Sequence, residues 1–217
     1  LASRWLRGRI VAITGTKGKS TTTTLTGLMF VAGGLKALVG GNIGTPLSSQ
    51  VADSTPDTFH IVEVSSFQLE TSETFHPWIA VLLNLSSDHL DRHGSMDAYG
   101  AAKARIVANQ APDGWAVINA DDPQTLALAR AGRARKVFFS VETPLVPLSS
   151  IRLIGRHLAA DVMAAAAVAR IAGVPHDAMV RAVESFTGLE HALEPVAVVS
   201  GVRFVNDSKA TSVEAAT

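Results

Sequence analysis

The sequence contains no cysteine, which excludes disulfides and thiolate zinc sites and leaves the redox compartment open. It also lacks net charge, because 19 Lys and Arg balance 19 Asp and Glu. With no basic excess to release counterions, a generic nucleic-acid surface is not expected. No apolar run reaches the roughly 18 to 20 residues that a membrane helix needs. No basic-then-apolar signal opens the chain, and there is neither an internal repeat nor a low-complexity tract. The expectation is a soluble, cytoplasmic protein without a membrane partner. An opening methionine is lacking too: the chain starts at Leu1 and stops at Ala215-Ala216-Thr217, so it reads as a piece of something longer. Its 217 residues, 47% of them hydrophobic, suffice for one sizeable α/β core, or one domain and part of another.

The chain is organised around Ile10 to Thr24. The apolar run Ile10-Val11-Ala12-Ile13 breaks into Thr14-Gly15-Thr16-Lys17-Gly18-Lys19-Ser20, and a helix-compatible segment follows. Strand, glycine-bearing loop and helix form a phosphate cradle, with backbone N–H groups and the helix dipole converging on one spot. Lys19 reaches terminal phosphate oxygens and the Ser20 hydroxyl suits Mg²⁺. One glycine of the general G-x-x-x-x-G-K-[ST] pattern is missing, because Ile13 stands in its place.

Further strands are expected at Lys36–Val39, Thr58–Val64, Trp78–Leu85, Trp115–Asn119 and Lys136–Phe139. Helices are expected at Thr22–Gly34, Met96–Gln110, Asp122–Ala131, His157–Ala172 and His176–Phe186. Ser140 to Ser150 is proline-bearing and reads as irregular. This alternation predicts an α/β fold with a mainly parallel, doubly wound sheet. From Leu193 onward the pattern changes to a hairpin, Pro195–Val199 with Val202–Val205, which marks a candidate domain boundary.

In such a sheet, ligands bind beyond the carboxyl ends of the strands. Four strands end in polar loops: GTKGKS, GGNIG, EVSSFQ and NLSSDHLDRH. Glu63, at the end of an apolar strand, stands where P-loop proteins keep an acid for Mg²⁺. His89 follows a buried strand and is flanked by Asp88 and Asp91, which suits a metal or phosphate role. From the residues alone, Lys103 reads as a solvated helix lysine, and Asp91, Arg92 and His93 read equally as capping and surface residues.

Taken together, TGTKGKST, GNIGTP (Gly41 to Pro46), EVSSFQLE (Glu63 to Glu70), Asn84 to Ile106 and NDSKAT (Asn206 to Thr211) resemble the Mur ligase family of ATP-dependent amide-forming enzymes. The branch they most resemble joins D-glutamate to UDP-N-acetylmuramoyl-L-alanine in peptidoglycan synthesis. Ile13 then marks the family, whose phosphate loop lacks that first glycine. The resemblance implies residues 1–9 as a linker from a UDP-binding domain and 10–190 as the central ATP-binding domain. It implies 191–217 as the start of a C-terminal domain, a fragment inactive alone, and a monomeric full-length enzyme. It further implies that Gly15, Thr16, Lys17, Gly18, Lys19, Ser20 and Thr21 hold ATP phosphates, and that Ser20 and Glu63 hold one Mg²⁺. A second Mg²⁺ would be served by His89 and by Lys103, the position the family carbamylates. Asn42, Ser65 and Gln68 would face the muramoyl-alanine substrate. Asp207 would approach the ribose, with Lys209 and Thr211 near the reacting groups and D-glutamate.

Three departures from the family pattern stand out. Leu158 and Asp161 occupy positions where asparagines are usual after Gly155-Arg156-His157, Ala192 replaces an arginine, and Ser212 follows DSKAT. The first two belong to the implied adenine pocket, where Asp161 is a nucleotide-binding candidate. Other readings are a different amino-acid ligase of the superfamily, which NDSKAT argues against, and an isolated nucleotide-binding module or GTPase-like switch, the switch being disfavoured by the lack of an N-K-x-D guanine-reading motif.

Overall fold

The computed structural model describes residues 1–152, 155–191 and 194–208. Its elements are β1 (Arg9–Thr14), α1 (Lys19–Ala32), β2 (Ala37–Gly41), β3 (Phe59–Glu63), α2 (Ser66–Glu70), β4 (Ile79–Leu82), α3 (Leu90–His93) and α4 (Met96–Ala108). After these come β5 (Trp115–Asn119), α5 (Pro123–Leu128), β6 (Arg135–Phe139), α6 (Arg156–Ile171), α7 (His176–Ser185), β7 (Glu194–Val199) and β8 (Val202–Asn206).

The first six strands form one parallel sheet in the order β2-β3-β1-β4-β5-β6. Its inner strands are apolar on both faces because helices cover both. Along β1 the side chains alternate between the two layers. Val11 and Ile13 join Leu25, Met29 and Phe30 of α1 and the Val162-to-Ala169 run of α6. Ile10 and Ala12 join Leu69 of α2 and Ile106 and Val107 of α4. The alanines of α6 leave little side chain to accommodate, so the run Val162 to Ala169 is buried all round. The strands β7 and β8 pair separately as an antiparallel hairpin.

The six-stranded parallel sheet and the hairpin agree with the fold class expected from the sequence. Several details differ, among them β4, which ends at Leu82 and not Leu85, and β2, which spans Ala37–Gly41 and not Lys36–Val39. The first helix starts at Lys19 and not Thr22, because Gly18 turns the chain in the left-handed region (φ 80°) and caps the helix directly. The α5 segment ends at Leu128 and tightens into a 3₁₀ turn over Ala129–Ala131. Two short helices, α2 and α3, were not foreseen. The first has a legible signal: Ser65 and Gln68 form a capping box.

Candidate functional site

The chain leaves β1 towards β3 and β2 on one side and returns to β4 on the other. The carboxyl end of β1 is therefore the switch point of the sheet, where such folds open a crevice. All four loops singled out in the sequence start at this edge. In the phosphate loop, Gly18 offers no side-chain cap to α1. The first-turn amides of Lys19, Ser20 and Thr21 thus form an anion-attracting helix end. The Lys19 Nζ donates to the Thr16 carbonyl at 2.8 Å, folded over the loop. Burial lowers its pKa, and the carboxylates of Glu63, Asp88 and Asp161 oppose that shift.

Glu63 is 2% exposed. Ser20 Oγ donates to its Oε2 at 2.7 Å and Asn42 Nδ2 to its Oε1 at 3.0 Å. The neighbouring β2 loop approaches so closely that a Cβ on Gly41 (φ 108°) would lie 2.4 Å from the Glu63 carbonyl oxygen. Among the described residues no three His, Asp or Glu side chains form a metal cage. The pair Ser20 and Glu63 nevertheless suits Mg²⁺, which takes few protein oxygens and completes its shell with water and phosphate.

Lys103 of α4 is 2% exposed and donates from Nζ to the Gly15 carbonyl at 2.7 Å. Its ammonium sits 4.5 Å from the centre of the Tyr99 ring. Burial, then the charge of Lys19, brings its pKa down to about 7. The solvated-lysine reading is thereby overturned: this is a buried amine under the phosphate loop.

His89 adopts a left-handed conformation (φ 52°) at the start of α3, with Nε2 3.5 Å from Asp88 Oδ2. Its ring is 5.0 Å from that of Phe67. His93 stacks on the same Phe67 ring at 5.4 Å, lies 5.2 Å from the Tyr99 ring, and bonds through Nε2 to Ser66 Oγ at 3.0 Å. It belongs to this ring cluster beside β4, a placement its sequence context did not decide.

Asn84 is a residue that sequence reasoning missed. Its Oδ1 accepts from the Thr16 and Lys17 amides at 3.1 and 2.9 Å, and its Nδ2 donates to the Lys17 carbonyl at 3.0 Å. The Thr16 hydroxyl in turn accepts from the Ser86 amide at 3.0 Å. Thr16 and Lys17 thus bind the phosphate loop to the segment after β4, while Lys19, Ser20 and Thr21 lie at the helix end. The one available hint was that Asn84 opens the polar stretch NLSSDHLDRH after an apolar run.

The remaining expected residues divide. Ser65 and Gln68 bond to each other in the capping box, with the Ser65 amide donating to Gln68 Oε1 at 2.9 Å. Gln68 also lines a cavity of about 590 Å³ beside Glu63, together with Gly41, Val62, Leu69 and Phe75. Arg4 reaches Thr74 Oγ1 at 2.9 Å on the wall of that cavity. Asp161 is wholly buried against Gly18. Burial, then the charge of Lys17, lowers the pKa of His157 at the start of α6, and the charge of Asp207 opposes that shift. Lys209, Thr211 and Ser212, like Ala192, lie outside the described residues.

The family model described as the Mur ligase middle domain matches residues 13–148. The chain belongs to the Mur ligase family. It is 44% identical over 240 aligned positions to the UDP-N-acetylmuramoylalanine--D-glutamate ligase of Acidobacterium capsulatum, covering 100% of this chain and 52% of that protein. The ligase of the same name from Pelotomaculum thermopropionicum is 43% identical, with the same coverage. This Mur ligase chain spans about half the length of the curated relatives it matches. Among solved structures it is similar to MurF from Acinetobacter baumannii, with a TM-score of 0.74 at 20% identity over 95% of this chain and 52% of that one. A UDP-N-acetylmuramoyl-L-alanyl-D-glutamate--2,6-diaminopimelate ligase gives 0.71 at 24% identity, over 88% and 48%. These structural likenesses carry the fold alone.

Proposed function

We propose that this chain is the ATP-binding central part of a cytoplasmic, monomeric ligase that joins D-glutamate to UDP-N-acetylmuramoyl-L-alanine through an acyl phosphate. Residues 10–190 would be that central domain, 1–9 the linker before it and 191–217 the start of a C-terminal domain. The observation that carries the reading is the meeting of Lys19, Ser20, Glu63 and Lys103 on one phosphate loop. The names of the two bacterial relatives support the choice of substrates.

On this reading the helix end at Lys19–Thr21 binds the β- and γ-phosphates, and Lys19 swings from the Thr16 carbonyl to the γ-phosphate. That offsets charge which would otherwise repel an anionic nucleophile. The alanine carboxylate attacks phosphorus as the bond to ADP breaks, and the D-glutamate amine then attacks the acyl carbonyl, displacing phosphate and losing a proton. Ser20 and Glu63 would hold one Mg²⁺, and His89 with carbamylated Lys103 a second. Bound Mg²⁺ supplies further neutralisation of phosphoryl charge. The neutral Lys103 amine is the form that adds CO₂, and its buried site favours that form. The cavity beside Glu63 offers room for the carboxylate substrate, with Asn42, Ser65 and Gln68 around it. Asp207 would serve the ribose, and Lys209 and Thr211 the D-glutamate end.

The test replaces the matching half of the Acidobacterium capsulatum ligase with this chain and traps acyl phosphate with hydroxylamine. Hydroxamate is expected with ATP and UDP-N-acetylmuramoyl-L-alanine, and none with Lys19→Ala. Near-normal hydroxamate from Lys19→Ala would overturn the assignment.

A further inference from the structure

Asp161 is a buried acid for which the proposed mechanism has no use. It is 3% exposed, and its Oδ2 has no hydrogen-bond partner. The carboxyl group ends directly under the phosphate loop, since a Cβ on Gly18 would come within 2.0 Å of Asp161 Oδ1. Gly18 is also left-handed, so a side chain there is opposed by both the backbone turn and the acid. Thr22, one turn into α1, is the hydroxyl that bears on Asp161, and its Oγ1 is itself buried and without a hydrogen-bond partner.

We infer that Asp161 is a positioning residue of the nucleotide site that works as an uncharged acid, seating Gly18 while neutral and expelling nucleotide phosphates when it ionises. The inference rests on the reading that this loop holds phosphates.

The surroundings explain why the neutral form prevails. Burial pushes the Asp161 pKa up to about 8, opposed by the Thr22 hydroxyl and the Lys19 charge. Lys19 is the cation that bears on it from the α1 side. Along α6, His157 lies one turn earlier; burial and then Lys17 lower its pKa, against the opposing charge of Asp207. The strands under α6 contribute apolar Val117 and Phe139 to the same core. Glu63 and Asp88 act on Lys19. A carboxylate formed here is therefore poorly compensated.

The sign follows directly. With Asp161 neutral, the loop presents Lys19 and the α1 dipole to an anion with no opposing charge from Asp161. Once Asp161 ionises, a negative charge lies under Gly18, repels phosphate and competes for Lys19, so affinity falls. By linkage, bound phosphate raises the Asp161 pKa in return. Lys103 loses its charge at about pH 7 and weakens anion binding in the same direction. Only the difference between wild type and Asp161→Asn isolates Asp161. Asparagine keeps the shape, carries no charge, and is the residue usual at this position of the family pattern.

The experiment has two arms on the 217-residue chain. In the first, the Gly18 amide resonance is followed against pH without nucleotide; it should titrate near pH 8 in wild type and stay flat in Asp161→Asn. In the second, MgATP affinity is measured by calorimetry from about pH 7 to about pH 9.5: across that range wild type should lose about tenfold more affinity than the variant. A Gly18 amide that does not titrate in wild type overturns the inference, as do affinity profiles that fall equally in the two proteins. A titrating Gly18 with no MgATP binding by either protein overturns the nucleotide reading of the loop, and the coupling with it.

Discussion

Ser20 Oγ donates to Glu63 Oε2 at 2.7 Å, joining the first turn of α1 to the carboxyl end of β3. The second carboxylate oxygen of Glu63 is taken by Asn42. One carboxylate thus meets a hydroxyl from the phosphate loop and an amide from the β2 loop, where a cation bridging protein and phosphate belongs. Glu63→Gln keeps the size and the contact with Ser20 but removes the charge. Mg²⁺ should strengthen ATP binding in wild type and do so at least about tenfold less in the variant. Calorimetry with and without Mg²⁺ reads this; an equal Mg²⁺ effect would remove Glu63 from the metal site.

Asn84 grips both the N–H and the C=O of Lys17. Asn84→Ala leaves these half-buried groups without that partner, a loss of about 1–3 kcal/mol. ATP affinity should fall about tenfold. Asn84→Asp should bind more weakly still, because it loses the donor to the Lys17 carbonyl and brings a negative charge to the loop. Wild-type affinity in both variants would show that the loop keeps its shape by other means.

The buried amine of Lys103 is half deprotonated at about pH 7. Carbamylation consumes the neutral amine, so labelling by ¹³C-bicarbonate should increase as pH rises through that value. Lys103→Arg keeps a cation near Gly15 but forms no carbamate, and hydroxamate formation by the hybrid ligase should fall by about 100-fold. A carbamate signal of equal strength in wild type and Lys103→Arg would assign the label elsewhere.

How much of this was readable in the sequence depends on distance along the chain. The sheet was legible because its inner strands are short apolar runs buried on both faces, and the phosphate loop because Gly18, Lys19 and Ser20 are adjacent. The Glu63 position was legible from its place at a strand end. By contrast, Asn84 meets Lys17 across 67 positions and Lys103 meets Gly15 across 88. Those contacts exist only once β4 lies beside β1 and α4 crosses the sheet edge. Periodicity places Lys103 on a helix, and its burial is a product of packing.

His60 shows the same dependence on packing. The Arg7 and Gly8 amides both donate to Ser54 Oγ, at 2.8 and 3.2 Å, so the Ser54 hydroxyl hydrogen is free to meet His60 Nε2 at 2.8 Å. His60 Nδ1 then carries the proton and donates to Gln50 Oε1 at 2.7 Å. Burial, then Lys36, lowers the His60 pKa from 6.5. The unfolded chain therefore takes up this proton first; the contribution is complete above pH 6.5 and is lost as pH falls below it. Thermal unfolding of wild type and His60→Gln should differ most above pH 6.5, by about 1–3 kcal/mol, and converge towards acid pH. A gap that widens on acidification would contradict the neutral tautomer.

The central claim is that Lys19 and the start of α1 hold the phosphates of ATP. MgATP binding by this chain and by its Lys19→Ala variant, measured by calorimetry at about pH 7, tests it most directly. The account predicts saturable binding by wild type that weakens at least about 30-fold in the variant, the loss of one buried charge-assisted contact. Equal affinity in the two proteins, or no binding by wild type, would contradict it.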